Sequence, residues 1–283
     1  MADPPVPFAW RSVGAVAVGL FAVLLMTAGR YGYHRDELYF LAAGRHLDWG
    51  FVDQPPLTPL LTRGMSVLVG DSLVGSRILP AVLAVATVIV AALISRELGG
   101  GRAEQLLTSA ATAISAVVLI GGHWLSTTTV DLLIWAVLCW SVIRVVRIGG
   151  GPSWLWAGLT AGIGLQNKTL VLFLLVALAA GLLLDGPRRV FRDRWLWAAA
   201  GLALVIWAPN LNWQAVHGWP QLELSAAIAA GSSGSSQPWW LFLPYQLVLV
   251  SPGLVPVWVA VWWCSSARST SSPTASSRSP TWC

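Results

Sequence analysis

YGYHRDELYFLAAGRHLDWGFVDQPPLTP, residues 31–59, decides how the rest of the chain is read. It follows an apolar run over 13–28 that ends at Gly29, and it is the most polar long stretch before the tail. It carries His34, Arg35, Asp36, Glu37, Arg45, His46, Asp48 and Asp53, so four of the chain's twelve acidic residues fall within eighteen positions. From Asp36 onward, Leu38, Tyr39, Leu41, Ala42 and Leu47 recur near helical spacing, which predicts an amphipathic helix beside a membrane. Asp36 and Glu37 fall in its first turn, where free N–H groups and the helix dipole favour a carboxylate. Helix capping therefore stands beside a chemical role for this acidic pair.

Composition sets the class. The chain is 56% hydrophobic and only 10% charged, with a mean hydropathy of +0.68. A soluble globule carries about a quarter of its residues charged, so this composition belongs to an integral membrane protein. Eighteen tryptophans against four tyrosines fit a chain with many membrane–water interfaces, where indole rings settle. The net charge of +5 comes almost wholly from arginine, and Lys168 is the only lysine. Those arginines are spread over short loops and make no interleaved basic–aromatic face, which excludes nucleic acid as a partner. Cys139, Cys264 and Cys283 have no metal-ligand spacing and build no disulfide framework. The first apolar run reads as an anchor rather than a cleaved signal, since no clean small-x-small site follows it.

Candidate spans are 12–29, 78–95, 103–121, 130–148, 153–167, 169–185, 195–209 and 240–263, about eight crossings at roughly 20 apolar residues each. Only Gln166, Asn167 and Lys168 separate the fifth from the sixth, so the two either merge or form a tight hairpin. The charge bias selects the hairpin. With the N-terminus cytoplasmic, the inner connections receive Arg11, Arg96, Arg102, Arg144, Arg147, Arg188, Arg189, Arg192 and Arg194, and the short outer ones only Lys168. The long first outer loop, with Arg30, Arg35, Arg45, Arg63 and Arg77, counts against this bias.

That alternation brings four polar clusters to one non-cytoplasmic face: 30–77, 121–131, the turn at 166–168, and 209–238. Asp36, Asp53, Asp131 and Lys168 are then neighbours by topology. An ionisable group at a membrane helix end is costly unless paired or functional, so each is a site candidate. Asp131 as a helix cap and His217 as an ordinary interfacial histidine are the plain alternatives. The last twenty residues, CSSARSTSSPTASSRSPTWC, hold eight serines and no large aliphatic residue. This 264–283 tail reads as a disordered or frame-shifted end on a membrane domain covering 1–263, itself expected to be truncated.

The order of these residues resembles the GT-C-type, polyprenyl-phosphate-sugar-dependent glycosyltransferases of family 39, the protein O-mannosyltransferase and aminoarabinose-transferase kind. The likeness covers about 30–263. In that family an Asp-Glu pair opens the first outer loop, as Asp36-Glu37 does here, and an acidic-x-Pro element follows, as Asp53-Gln54-Pro55 does. A further outer Asp starts the fourth span, matched by Asp131, and a lysine lies between spans five and six, matched by Lys168. The resemblance implies an all-α polytopic bundle that moves a hexose or mannose-like sugar from a polyprenyl phosphate to an acceptor hydroxyl on a lipid, glycan or protein. An attacking hydroxyl must lose a proton, which calls for a carboxylate in reach; Asp36 is the expected base, Glu37 positions the loop or acceptor, and Asp131 orients a hydroxyl. The departing lipid phosphate needs positive charge, for which Lys168 is the best single cation. Asp53, Gln54, His34 and Arg63 complete the expected substrate contacts. The aminoarabinose transferases carry a Lys where this chain has Gln54, a departure for which Arg63 or Lys168 compensates.

The reading requires no cofactor and leaves a divalent metal open. It places the protein as a multi-pass protein of the plasma membrane with the site on the outer face. A transporter or lipid-carrier flippase is the alternative of another class, but its acids would sit at the bilayer midplane within inverted repeats, and here they cluster in loops and helix ends. An inactive membrane scaffold is the third.

Overall fold

A computed structural model describes residues 6–70, 72–231 and 238–250, with 255 and 259 as isolated positions. Among the described residues the chain is helical throughout, with no strand. The chain divides into two units. The first, residues 1–114 and 118–236, holds α1 (Trp10–Thr27), α2 (Arg35–Arg45), α3 (Leu57–Val69), α4 (Leu73–Ser76), α5 (Ile78–Glu97) and α6 (Arg102–Ala113). A short α7 (Ala116–Gly121) follows, and its first two residues belong to the second unit. The first unit continues with α8 (Thr127–Ile148), α9 (Trp154–Leu165), α10 (Val171–Leu184), α11 (Arg194–Val216) and α12 (Pro220–Ala229). The second unit, 115–117 with 237–283, contains α13 (Phe242–Val250) after a 3-10 turn at Trp239–Leu241. The tail at 264–283 lies outside the described residues, as does most of the expected last span beyond 250.

Among the described residues three segments are long and apolar enough to cross a bilayer: Trp10–Thr27, Leu73–Glu97 and Thr127–Ile148. Shorter apolar helices, Leu57–Val69, Trp154–Leu165 and Val171–Leu184, stand beside them. The span placed at 103–121 is interrupted after Ala113, where the polar first turns of α6 give way to α7. The hairpin at 166–168 is present, but its arms α9 and α10 have only 12 and 14 residues. At 1.5 Å rise per residue each is shorter than a roughly 30 Å hydrocarbon core. The expected outer loop from 209 is also corrected, because α11 runs through Pro209 to Val216.

Contacts at the helix ends fix the direction of each helix. At one end, Arg96 Nε donates to Val6 O (2.8 Å) and Ala9 N donates to Gln105 Oε1 (2.9 Å), joining the end of α5 and the start of α6 to the start of α1. Glu97, the last residue of α5, is wholly enclosed and pairs with Arg144 Nη1 (3.0 Å) and Arg147 Nε (2.6 Å) near the end of α8. Asp193 caps α11 through Trp195 N (2.9 Å) and also accepts from Gly151 N (2.8 Å), just ahead of α9. This end therefore gathers Arg11, Arg96, Arg102, Arg144, Arg147 and Arg194. The opposite end holds the finish of α1, the starts of α5 and α8, the turn between α9 and α10, and the finish of α11. The connections bearing Arg96, Arg102, Arg144, Arg147 and Arg194 thus lie at the end opposite the turn at 166–168.

Between the ends, Leu125, Val130, Ile134, Leu138, Ala161, Leu165, Val171 and Ala203 form a buried cluster with Leu57, Leu61, Leu79 and Trp207 against it. The tightest packing joins α9 to α11. A Cβ on Gly158 would stand 2.4 Å from Ala199 O and 2.7 Å from Ala199 Cα, both backbone atoms that no rotamer change can move. Gly162, one turn on, meets Ile206 Cβ at 2.7 Å in the same way. Small residues four apart let two helix backbones approach where lipid offers no competing loss of apolar contact.

Candidate active site

α2 begins one residue before the expected point, and its start is held by His34 and Glu37 in a reciprocal capping box. His34 Nδ1 accepts from Asp36 N (3.2 Å), while Glu37 Oε2 accepts from His34 N (2.7 Å). His34 Nδ1 also lies 3.8 Å from the Asp36 carboxylate. The His34 ring stacks on Trp124 (centroids 4.6 Å, 13° between planes), which ties α2 to the loop before α8. Asp36 itself is part-exposed, with Arg35 Nε at 3.3 Å, and is not needed as the cap.

Glu37 turns inward. It is buried on the α2 face made by Glu37, Phe40, Ala43 and Gly44, whereas Leu38 and Leu47 are exposed. Leu38 and Leu47 point away from the bundle, as suits the amphipathic helix expected at a membrane surface. Arg77 meets both Glu37 oxygens, Nε to Oε1 at 3.0 Å and Nη2 to Oε2 at 2.8 Å. The same guanidinium donates to the carbonyls of Ala28, Tyr31 (3.2 Å) and Gly32 (2.8 Å), and lies 4.0 Å over the Tyr31 ring. Both charges are buried, so desolvation is offset only by this bidentate pair and its carbonyl contacts.

The acidic-x-Pro element is held to α2 and α11. Tyr39 OH donates to Asp53 Oδ1 (2.6 Å). Burial and that bond raise the Tyr39 phenol above its ordinary range, so it stays a donor at neutral pH. Phe51 N donates to Gln54 O (2.9 Å), closing a turn in which Gln54, Pro55 and Pro56 are buried. From α11, Asn210 Nδ2 donates to Trp49 O (2.9 Å) and Gln214 Nε2 to Phe51 O (3.4 Å). Gly50 is required beneath them, since a Cβ there would fall 2.4 Å from the Trp213 ring. Arg63, on α3, is exposed and forms no ion pair among the described residues.

The turn after α9 is the junction of the site. Asn167 is fully buried and donates through Nδ2 to Asp131 Oδ1 (2.6 Å) and Thr127 O (2.9 Å), while its Oδ1 accepts from Thr58 Oγ1 (2.6 Å). Gln166 Nε2 donates to Ile206 O (2.6 Å), and Gln166 O accepts from Leu57 N (2.8 Å). Two adjacent residues, Gln166 and Asn167, therefore join α3, α8 and α11. Asp131 is not the cap of α8; Ser126 is, accepting from Thr129 N at 3.3 Å. Lys168 is half-buried beside this junction and has no ion pair among the described residues. No cluster of three or more His, Cys, Asp or Glu side chains able to hold a metal occurs among the described residues.

The sequence matches the dolichyl-phosphate-mannose-protein mannosyltransferase family over residues 53–213, more than half of the chain. The chain belongs to that family. The matched region opens on Asp53 and closes on Trp213, so it includes Asp131, Asn167, Lys168 and Asn210 but not Asp36. The fold is similar to that of the S. cerevisiae protein O-mannosyltransferase Pmt1-Pmt2 complex bound to the sugar donor, with a TM-score of 0.58 at 18% identity. The match covers 75% of this chain and 34% of that one, so the chain spans about a third of its structural relative. It assigns the helical bundle to the GT-C fold. A comparison with curated proteins gave no match.

Set beside this family, the residues picked from the sequence divide into three groups. Asp131 and Lys168 lie at one junction, and Asp53 joins it through the start of α3. Asp36 and His34 reach it through α2, Tyr39 and Trp124, with no direct bond to Asp131 or Lys168 among those described. Glu37 and Arg63 stand apart, the first enclosed with Arg77, the second exposed. Sequence reading did not single out Asn167, Arg77, Tyr39 or Trp124. A lone polar amide between two apolar runs was the available signal for Asn167, and an arginine opening an apolar span was the signal for Arg77.

Proposed function

We propose that the chain transfers a mannose-like sugar from a polyprenyl-phosphate donor to an acceptor hydroxyl, at the end of the bundle that carries Asp36, Asp53, Asp131 and Lys168. The bond from Asn167 to Asp131 beside Lys168, with Asp36 and Asp53 at the same end of the bundle, carries the reading together with family membership. The acceptor oxygen bonds to the anomeric carbon while the bond from that carbon to the phosphate oxygen breaks. The electron pair leaves with the polyprenyl phosphate, and the acceptor proton goes to Asp36, the part-exposed carboxylate of the group. Lys168 stabilises the departing phosphate as a point charge. Asp131, held by Asn167, accepts from a sugar or acceptor hydroxyl, and Glu37 sets the loop through Arg77. The arginine bias supports an extracytoplasmic site at this end.

Sealed membrane vesicles of known orientation, given radiolabelled polyprenyl-phosphate mannose, test both the reaction and its side. Donor-dependent label should appear on acceptors that an impermeant glycosidase reaches from the outer side. Lys168→Ala should raise the donor concentration needed for half-maximal transfer by about tenfold or more, and Lys168→Arg should recover part of it, as expected for a charged hydrogen-bond donor. No donor-dependent label above vesicles lacking the protein would refute the activity, and an unchanged donor requirement in Lys168→Ala would return that residue to an interfacial lysine.

A further inference from the structure

The arginine-bearing end contains a second polar site that the transfer reaction does not use. Between the last turns of α8 and the start of α9 lies an open cavity of about 480 Å³, lined by Trp140, Ser141, Arg144, Ser153, Trp156 and Val137 among others. Ser141 is 4% exposed, and its Oγ has no hydrogen-bond partner. Trp140 Nε1 is likewise buried and unpartnered. A buried hydroxyl or indole N–H left unpaired costs about 1–3 kcal/mol, so two on one cavity wall call for an occupant.

The charge beside them has a definite sign. Glu97 is neutralised twice, by Arg144 and by Arg147, and the trio retains one positive charge. Arg144 engages Glu97 only through Nη1, lies 5.5 Å over the Trp140 ring, and remains part-exposed at the cavity edge. An indole N–H can only donate, and a guanidinium can only donate. The ligand must therefore be anionic and rich in acceptors. Val137, Val145 and the exposed Trp156 supply apolar walls beside it. The cavity also stands at the level of Arg96 and Arg147, where helix ends meet the membrane surface. Acceptor oxygens, negative charge and an attached apolar chain together describe a phospholipid.

We propose that this cavity binds the phosphate headgroup of an anionic phospholipid from the leaflet at the arginine-bearing end. Trp140 Nε1, Ser141 Oγ and the free face of Arg144 donate to the phosphate oxygens, and the acyl chains follow the apolar wall of α8 and α9. Basic pockets between membrane helices take anionic headgroups by this combination of charge and donors.

The test is lipid binding to the full chain in phosphatidylcholine nanodiscs, read as the thermal shift on titrating phosphatidylglycerol, with inorganic phosphate as a separate arm. The parent should gain stability with phosphatidylglycerol and not with phosphate alone. The double substitution Trp140→Phe with Ser141→Ala removes both unpartnered donors and leaves the Glu97 pairs intact. It should fold at least as well as the parent without phosphatidylglycerol and need about tenfold more of the lipid for the same shift. Arg144→Lys, which keeps the charge and the Glu97 pair, should bind more tightly than Arg144→Gln. Stabilisation of the parent by inorganic phosphate would make this a free-phosphate site and overturn the lipid assignment. The absence of a phosphatidylglycerol shift in the parent, or equal shifts in parent and double variant, would overturn the site itself.

Discussion

Asp36→Asn is expected to fold and insert as the parent does while sugar transfer falls by about 10²–10⁴-fold, the usual cost of losing a general base. The structure sharpens this expectation, because the start of α2 does not depend on the Asp36 carboxylate. His34 accepts the Asp36 amide and Glu37 accepts the His34 amide, so the cap survives the substitution. Exposed positions away from such features change stability by about 0.5 kcal/mol or less. Transfer rate and thermal midpoint, measured on the same membranes, separate the two roles. A near-parental rate would remove Asp36 from the chemistry and leave Asp131 as the carboxylate to test.

Glu37→Gln should have the opposite signature. It strips the countercharge from Arg77, whose guanidinium is 1% exposed, and breaking one side of a buried ion pair costs about 3–5 kcal/mol. The three carbonyls that Arg77 also contacts hold part of the loop, which favours the lower end of that range. A lowered thermal midpoint, with transfer falling in proportion to the folded fraction, is the expected result. Glu37→Leu combined with Arg77→Met should recover stability beyond either single change, since the pair's desolvation is then removed altogether. A fully stable but inactive Glu37→Gln would instead give Glu37 a direct part in the reaction.

The sequence made parts of this arrangement legible because they depend on local pattern. The acidic first turn of α2, the tight turn at 166–168 and the gathering of Arg96, Arg144, Arg147 and Arg194 at the end away from that turn are all short-range signals. What escaped depends on distant partners. Arg77 lies forty residues from Glu37, and an arginine before an apolar run reads as an interfacial flank until its enclosing carbonyls are known. Asn167 was visible only as a polar tip, while Lys168 drew attention by its charge; in the bundle it is the amide that bonds to Asp131, Thr127 and Thr58. Asn210 and Gln214 looked like loop residues because their polarity ended an apolar run. They lie in α11 because their side chains hydrogen-bond the backbone at Trp49 and Phe51, a tertiary use of polarity that no window of sequence records.

The central claim is that donor binds at the Asp36–Lys168 end and not elsewhere on the bundle. The most direct measurement is photo-crosslinking with a polyprenyl-phosphate mannose analogue that carries its reactive group near the phosphate, followed by mass-spectrometric mapping of the labelled peptides. The account predicts adducts on peptides containing 31–59, 124–131 and 166–168, competed by unlabelled donor. Competable adducts confined to the Arg144–Arg192 end, with none on these peptides, would contradict it.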